Sequence, residues 1–255
     1  MCHPKVFIYV LIVATIAVLS GCTGKKRKDR LTIATAANVQ FAMEELINAF
    51  EVETGITCEM IVGSSGKLTA QIKNGAPYDV FLSADMKYPQ SLEEAGLTIG
   101  GAEIYARGEL VIWSQVPDLT PSLELLASTE IKHIALANPK VAPYGKAAMA
   151  VIKQVDDEGS LSDKLVYGES ISQVNQFVLS KVCEIGFTSK SSVLSAKEQG
   201  RWSPLPSANY PPVNQGVVIV QHDNQDMEKN ANQFVRFLKS NKGAGILSVH
   251  GYIIP

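Results

Sequence analysis

Cysteine and histidine are scarce in this chain of 255 residues, which holds four of each. No Cys-x-x-Cys pair occurs, and no histidine stands at metal-ligand spacing from a cysteine, so the sequence predicts no direct cation site. The nucleophile motif Gly-x-Ser-x-Gly is also absent, and His133, His222 and His250 have no catalytic partner at recognisable spacing. We therefore expect a protein that is not an enzyme and that carries no cofactor.

The folded body lacks an excess of basic residues. Residues 1–30 contain six Lys or Arg and one acidic residue, which leaves 17 basic and 24 acidic residues in 31–255, a net charge of −7. An acidic body disfavours nucleic acid as a partner. It also means that an anion bound by this protein would be held by local dipoles and not by a basic surface.

The apolar run near the N-terminus is too short to cross a membrane. It extends from Val6 to Leu19, fourteen residues after the single early lysine Lys5, whereas a spanning helix needs about 20. The run is typical of a signal-peptide core. It ends in Leu19-Ser20-Gly21-Cys22, which resembles the lipobox of bacterial lipoproteins and implies a signal peptide over 1–21 and a lipid on Cys22. An uncleaved anchor helix is the alternative.

A charged segment, Lys25 to Arg30, follows without apolar periodicity. We interpret 22–30 as the lipidated cysteine and a basic stalk beside anionic headgroups; a nuclear-localisation or nucleic-acid arm does not fit an exported protein. The two cysteines of the body, Cys58 and Cys183, are predicted to be buried free thiols, although an oxidising compartment would also permit a disulfide.

Strand and helix patterns alternate through the body, which favours an α/β architecture. Val39, Met43, Leu46, Ile47 and Phe50 recur at helical spacing, and Gly55 ends that pattern. Apolar runs predict strands at 31–34, 56–62, 79–82, 110–113, 134–137, 185–188 and 217–220. Helices are predicted between them, including one after Gly145, one after Ser170 and an amphipathic one containing Phe234. The pattern suggests two α/β lobes joined by crossover strands.

The segment Gly63-Ser64-Ser65-Gly66-Lys67-Leu68 is similar to a phosphate loop, but Ile61 and Leu68 stand where that motif needs Gly and Ser or Thr. What remains is a turn of small residues at a helix start, where backbone N–H groups can receive an anion. Asn38, Tyr144 and Ser170 stand at comparable helix starts after strands. Each of these could be an ordinary cap, but together they could neutralise a dianion at the edge where doubly wound sheets bind ligands.

Three segments carry a family resemblance. Leu31 to Met43, Gly63 to Leu68, and Gly75-Ala76-Pro77-Tyr78-Asp79-Val80-Phe81-Leu82-Ser83-Ala84-Asp85 resemble the periplasmic molybdate-binding proteins of ABC importers. The resemblance covers 31–255. It implies a two-lobed type II periplasmic-binding-protein fold, each lobe a doubly wound mixed sheet flanked by helices, with two crossover strands between the lobes. The first lobe is predicted over 31–107 plus 206–255 and the second over 108–205.

The resemblance also implies the ligand contacts. They are Asn38 and Ser65 in the first lobe, Tyr144 and Ile171 in the second, and the backbone N–H of Ala37. Many members carry a tyrosine at the position of Ser189, which makes Ser189 a weaker candidate. Tyr144 stands where those members carry a small residue, so we hypothesise that its hydroxyl replaces the missing phenol.

As a function, the resemblance implies capture of molybdate or tungstate by neutral hydrogen-bond donors and delivery to an ABC permease and its ATPase. The expected protein is an exported monomer, anchored by lipid to the outer face of the cytoplasmic membrane or in the periplasm. Three alternatives stay open: a binding protein for sulfate or a small organic acid, a secreted α/β hydrolase or transferase, and a sensory ectodomain.

Overall fold

The computed structural model describes residues 30–156, 158–195, 200–221 and 224–255. The predicted signal peptide, the lipidation residue Cys22 and the stalk before Arg30 lie outside the described residues. Within these ranges, no helix combines the length and the apolar character needed to cross a membrane.

The first sheet has five strands in the order β2-β1-β3-β10-β4. β1 pairs in parallel with β2 and β3, whereas β10 runs antiparallel to β3 and β4. The strands are β1 (Leu31–Ala36), β2 (Cys58–Gly63), β3 (Val80–Ser83), β4 (Thr98–Gly108) and β10 (Val213–Val220). β1 and β3 lie inside the sheet and are buried on both faces, which explains why each appears in the sequence as a continuous apolar run.

Five helices flank this sheet: α1 (Gln40–Thr54), α2 (Ser65–Lys73), α3 (Lys87–Glu93), α7 (Gln225–Leu238) and α8 (Asn241–Val249). On α1, Met43, Leu46 and Phe50 form the predicted buried stripe, and Gly55 ends the helix in the left-handed conformation with φ of 72°. The Phe50 ring packs edge-on against Phe234 of α7 at 5.2 Å between centroids. Segments from the beginning and the end of the chain's described part therefore share one core.

The second sheet has the order β7-β6-β8-β5-β9 and is also mixed. Its strands are β5 (Leu110–Ser114), β6 (Ile134–Ala137), β7 (Leu165–Gly168), β8 (Ile185–Ser189) and β9 (Arg201–Pro204), and its helices are α4 (Pro143–Val155), α5 (Ile171–Leu179) and α6 (Lys190–Ser195).

We call the parts of the chain built on the two sheets the first and second lobes. The chain passes to the second lobe between Gly108 and Leu110 and returns between Pro204 and Val213. The predicted two-lobed α/β fold, with a mixed sheet flanked by helices in each lobe, is confirmed.

Some local predictions were wrong or incomplete. Asn38 is not an N-cap: it lies within a 3₁₀ turn, Ala37–Val39, and α1 begins only at Gln40 with Val39 at the cap position. The eleven-residue strand β4 was not predicted, because as an edge strand it is buried mainly near its end and shows no continuous apolar run. Among the described residues, Cys58 and Cys183 are free thiols; Cys183 is buried as expected, whereas Cys58 is only partly buried.

Candidate functional site

A small cavity lies where the two lobes meet, beside the carboxyl ends of β1, β2, β3 and β6. Residues from both lobes line it: Ala36, Ala37, Asn38, Ser64, Ser65, Ala84, Ala142, Pro143, Tyr144 and Ile171. Ligands of open α/β sheets bind at this edge. The free volume is about 10 Å³, which by comparison with the roughly 10–15 Å³ needed for one water leaves room for a single compact group. An extended organic ligand does not fit this closed arrangement.

Four helices begin at this cavity, and none of them has a side-chain cap. The residues at the cap positions are Val39 for α1, Ser64 for α2, Ala142 for α4 and Ser170 for α5. By contrast, Asn224 and Ser240 cap α7 and α8, away from the cavity, with their side-chain oxygens. Uncapped helix starts carry N–H donors and partial positive charge, so the cavity is suited to an anion.

Glycine at position 145 permits this approach in the second lobe. A Cβ on Gly145 would lie 1.9 Å from the carbonyl oxygen of Ala137, the last residue of β6. The first turn of α4 therefore packs directly on the end of β6, and only glycine allows it. This contact places the neighbouring Tyr144 in the cavity.

Three hydroxyl groups at the cavity have hydrogens available for a ligand. Ser64 Oγ and Tyr144 Oη are buried and have no hydrogen-bond partner within the described part of the chain. Ser65 Oγ accepts a hydrogen bond from the Ala84 N–H at 3.0 Å, which leaves its own proton to be donated. Buried hydroxyls without partners are uncommon in folded proteins, and a bound ligand is one explanation for them.

The cavity lining is neutral. None of the ten lining residues is Asp, Glu, Lys, Arg or His, and burial raises the pKa of the Tyr144 phenol well above its ordinary value. Tyr144 therefore stays protonated and acts as a neutral donor. An anion in this cavity would meet hydrogen-bond donors and helix dipoles, with neither a counter-cation nor a carboxylate in direct contact.

Asn38 is held by two distant residues. Its Nδ2 donates to Gln215 Oε1 at 2.8 Å and to Tyr252 Oη at 2.9 Å. Because both amide hydrogens are used inside the protein, the donor that Asn38 can offer to a ligand is its backbone N–H. The side chain instead fixes the turn that carries Ala37 and Asn38.

The structure brings five of the predicted contacts together: Ala37, Asn38, Ser65, Tyr144 and Ile171 all line the cavity. Ser189 does not line it; its buried hydroxyl is hydrogen-bonded to Ser192 Oγ at 2.8 Å. Sequence reasoning missed Ser64, whose position beside Ser65 could have suggested it. It also missed Gln215 and Tyr252, whose separation from Asn38 along the chain gives no local signal.

Direct contacts connect the lobes around the cavity. The Gly66 N–H donates to the Val141 carbonyl at 2.9 Å, and Ser172 Oγ donates to Gln40 Oε1 at 3.2 Å. An exposed ion pair joins Lys67 and Glu169 at 3.0 Å. Alanines of the first lobe also belong to the core cluster of the second: Ala36, Ala37 and Ala84. The lobes are thus closed over the cavity.

Comparison with known proteins gives a consistent result. The family described as bacterial extracellular solute-binding protein matches residues 31–253. The molybdate-binding protein ModA of Azotobacter vinelandii is 35% identical over 247 residues, which is 95% of this chain and 96% of the relative. ModA of Rhodobacter capsulatus is 33% identical over 239 residues, 93% of this chain and 94% of the relative. The solved structure of the Azotobacter vinelandii periplasmic molybdate-binding protein matches with a TM-score of 0.82 at 33% identity, covering 89% of this chain and 100% of that one.

Proposed function

This chain belongs to the family of bacterial extracellular solute-binding proteins, and from that premise we propose that it captures molybdate, and tungstate with it, for an ABC importer. The observation that carries the proposal is the neutral cavity between the lobes, which four uncapped helix starts and three hydroxyls surround with donors. The relatives named above are molybdate-binding proteins. The contacts we propose are the N–H groups of Ala37, Asn38 and Ile171 and the hydroxyls of Ser65 and Tyr144.

The same cavity explains which anions are excluded. A site with donors only has no group to accept a proton, so it favours a fully ionised oxyanion over phosphate, which is partly protonated near neutral pH. Sulfate is fully ionised, and its rejection depends on size, because its shorter bonds leave the donors too distant for good hydrogen bonds. Tungstate is nearly the size of molybdate and should bind comparably.

The role that we propose for the two lobes is to enclose the anion for transport. We propose that the first lobe comprises 31–107 plus 206–255 and the second 108–205, and that they close on the ligand by a hinge motion at the crossovers. The loaded monomer then delivers the anion to a membrane permease driven by its ATPase. An enzymatic role is not proposed, because the cavity lining contains no nucleophile paired with a base.

Location follows from the N-terminal sequence. We propose that the chain is exported and held at the membrane through a lipid on Cys22, with the basic segment before Leu31 as a spacer. A tethered receptor stays near its transporter at high effective concentration. Replacing Cys22 with alanine should move the protein from the membrane fraction to the soluble fraction; unchanged membrane retention would contradict the anchor.

Calorimetric titration with molybdate, tungstate, sulfate and phosphate tests the proposed ligand. Heat measurement is preferable to tryptophan fluorescence, because Trp113 and Trp202 face each other across β5 and β9, and neither lines the cavity. Tight, saturable binding of molybdate and tungstate with much weaker binding of the other anions is expected. Preference for sulfate would favour the alternative oxyanion, and absence of molybdate binding would refute the proposal.

A further inference from the structure

Tyr252 contacts the 3₁₀ turn Ala37–Val39, which we call the ligand turn, without lining the cavity itself. It follows α8, and only 4% of its surface is exposed. Its hydroxyl accepts a hydrogen bond from Asn38 Nδ2 at 2.9 Å and donates one to the Asn38 carbonyl oxygen at 2.8 Å. One hydroxyl therefore fixes both the side chain and the backbone of Asn38.

Ile253, the residue after Tyr252, pairs with Arg107 near the end of β4, the strand from which the chain crosses to the second lobe. Ile253 N–H donates to the Arg107 carbonyl at 2.9 Å, and Arg107 N–H donates to the Ile253 carbonyl at 2.7 Å. Arg107 directly precedes Gly108, where the chain leaves the first sheet. Residues 252 and 253 therefore connect the ligand turn with the start of the crossover.

We propose that Tyr252 is a positioning residue for anion binding, acting through Asn38. The inference rests on the proposed function, since it assumes that the N–H groups of the turn contact the anion. Tyr252 does not line the cavity, so it acts without touching the ligand. Discrimination between oxyanions by size requires donors that keep their positions to within fractions of an ångström, and two hydrogen bonds to one residue supply that constraint.

A purely structural role for Tyr252 predicts something different. In that case the ring would matter and the hydroxyl would not. Tyr105 on β4 provides a matched control, because it belongs to the same core cluster, is also 4% exposed, and its hydroxyl has no hydrogen-bond partner among the described residues. Tyr252→Phe and Tyr105→Phe each remove one buried hydroxyl from the same core.

The test combines calorimetry with hydrogen exchange on the full chain. Tyr252→Phe should weaken molybdate binding about tenfold, the loss of roughly one net hydrogen bond, and should lower the molybdate-to-sulfate affinity ratio. In the absence of ligand, the amides of Asn38 and Val39 should exchange faster. Tyr105→Phe should leave the affinities and these exchange rates unchanged.

The outcomes separate the two proposals. If the wild-type protein fails to bind molybdate, the proposed function is wrong, and the exchange rates of the free protein still test the role of Tyr252. Unchanged exchange or unchanged affinity in Tyr252→Phe overturns the inference, and so does an equal loss in both variants. If Tyr252→Phe does not fold, Gln215→Met replaces it, because it removes the other acceptor of Asn38 Nδ2 and should change binding in the same direction.

Discussion

The hydroxyl of Tyr144 lies directly against the backbone of Gly108, so closely that a Cβ at residue 108 would come within 2.0 Å of it. Tyr144 lies on α4, which flanks the second sheet, and Gly108 is the last residue of β4, a strand of the first sheet. Tyr144 thus lines the ligand cavity, while its hydroxyl lies beside the crossover between the lobes. Glycine is needed here for close approach, since any side chain would occupy the space that the phenol fills.

Gly108→Ala should therefore displace the Tyr144 ring and weaken molybdate binding at least about tenfold, as expected for loss of a hydrogen bond to a charged ligand. The new methyl group would also come within 3.0 Å of Gln215 Nε2. Calorimetry measures the effect. Gly245→Ala is the control, because nothing lies within 4 Å of a Cβ at that helical glycine; equal affinities of the two variants would contradict the prediction.

Tyr144→Phe should weaken molybdate binding without lowering the stability of the free protein. Its buried hydroxyl has no partner in the described structure, so removing it should leave the unfolding free energy of the free protein unchanged or slightly higher. Loss of one donor to a charged ligand should weaken molybdate binding by roughly ten- to a hundredfold. Urea unfolding and calorimetry measure the two quantities. Unchanged affinity would exclude Tyr144 as a ligand donor.

The sequence predicted those parts of the fold and site whose signal is local. Buried strands such as β1 and β6 appear as apolar runs, and Ser65 and Ser170 stand at helix starts that short patterns mark. The edge strand β4 gave no such run, because water covers much of it. The antiparallel direction of β10 was not predictable from its composition, since apolar runs do not encode direction.

Long-range contacts explain what was missed at the site. Asparagine is a common N-cap residue, so the local sequence suggested that Asn38 caps a helix. In the structure, Gln215 and Tyr252 instead bind its side-chain amide from segments more than 170 residues away. That tertiary contact replaces the cap and leaves the helix start open. Ile171 and Ala37 could be assigned only through the family resemblance, because a backbone N–H donor has no side-chain signature.

Gly66→Ala should prevent full closure of the lobes. A Cβ on Gly66 would lie 3.0 Å from the Val141 carbonyl oxygen and 2.8 Å from Tyr88 Oη, while the Gly66 N–H donates to that carbonyl. The serines at the start of α2 would remain in place, so binding should weaken chiefly through faster dissociation. Stopped-flow displacement measures the rate, and ligand-induced compaction in small-angle scattering should be reduced. An unchanged dissociation rate would contradict this role.

Lys67→Ala provides a comparison at the adjacent residue. Its ion pair with Glu169 also crosses the cleft, but both side chains are mostly exposed, and exposed pairs contribute about 0.2–1 kcal/mol. The affinity should fall less than about fivefold, and added salt should remove the difference from wild type. A larger loss than in Gly66→Ala would show that charge, and not close backbone contact, controls closure.

Alkaline pH should destabilise the protein partly through Cys58. Burial, followed by the charges of Glu51 and Asp79, raises the pKa of this thiol to about 12 from the ordinary value of 9.0. Above pH 9 the unfolded chain releases the thiol proton and the folded chain keeps it, so stability is complete below pH 9 and falls as pH rises toward 12. Because the residue is only partly buried, the slope should stay below the roughly 1.4 kcal/mol per pH unit of one full proton.

Urea unfolding of wild type and Cys58→Ala between pH 7 and about 9.5, before unfolded tyrosines ionise near pH 10, isolates this contribution. Lost packing in the variant shifts its stability equally at every pH, so only the slope reports the thiol, and parallel pH profiles would show that Cys58 does not titrate as its surroundings require.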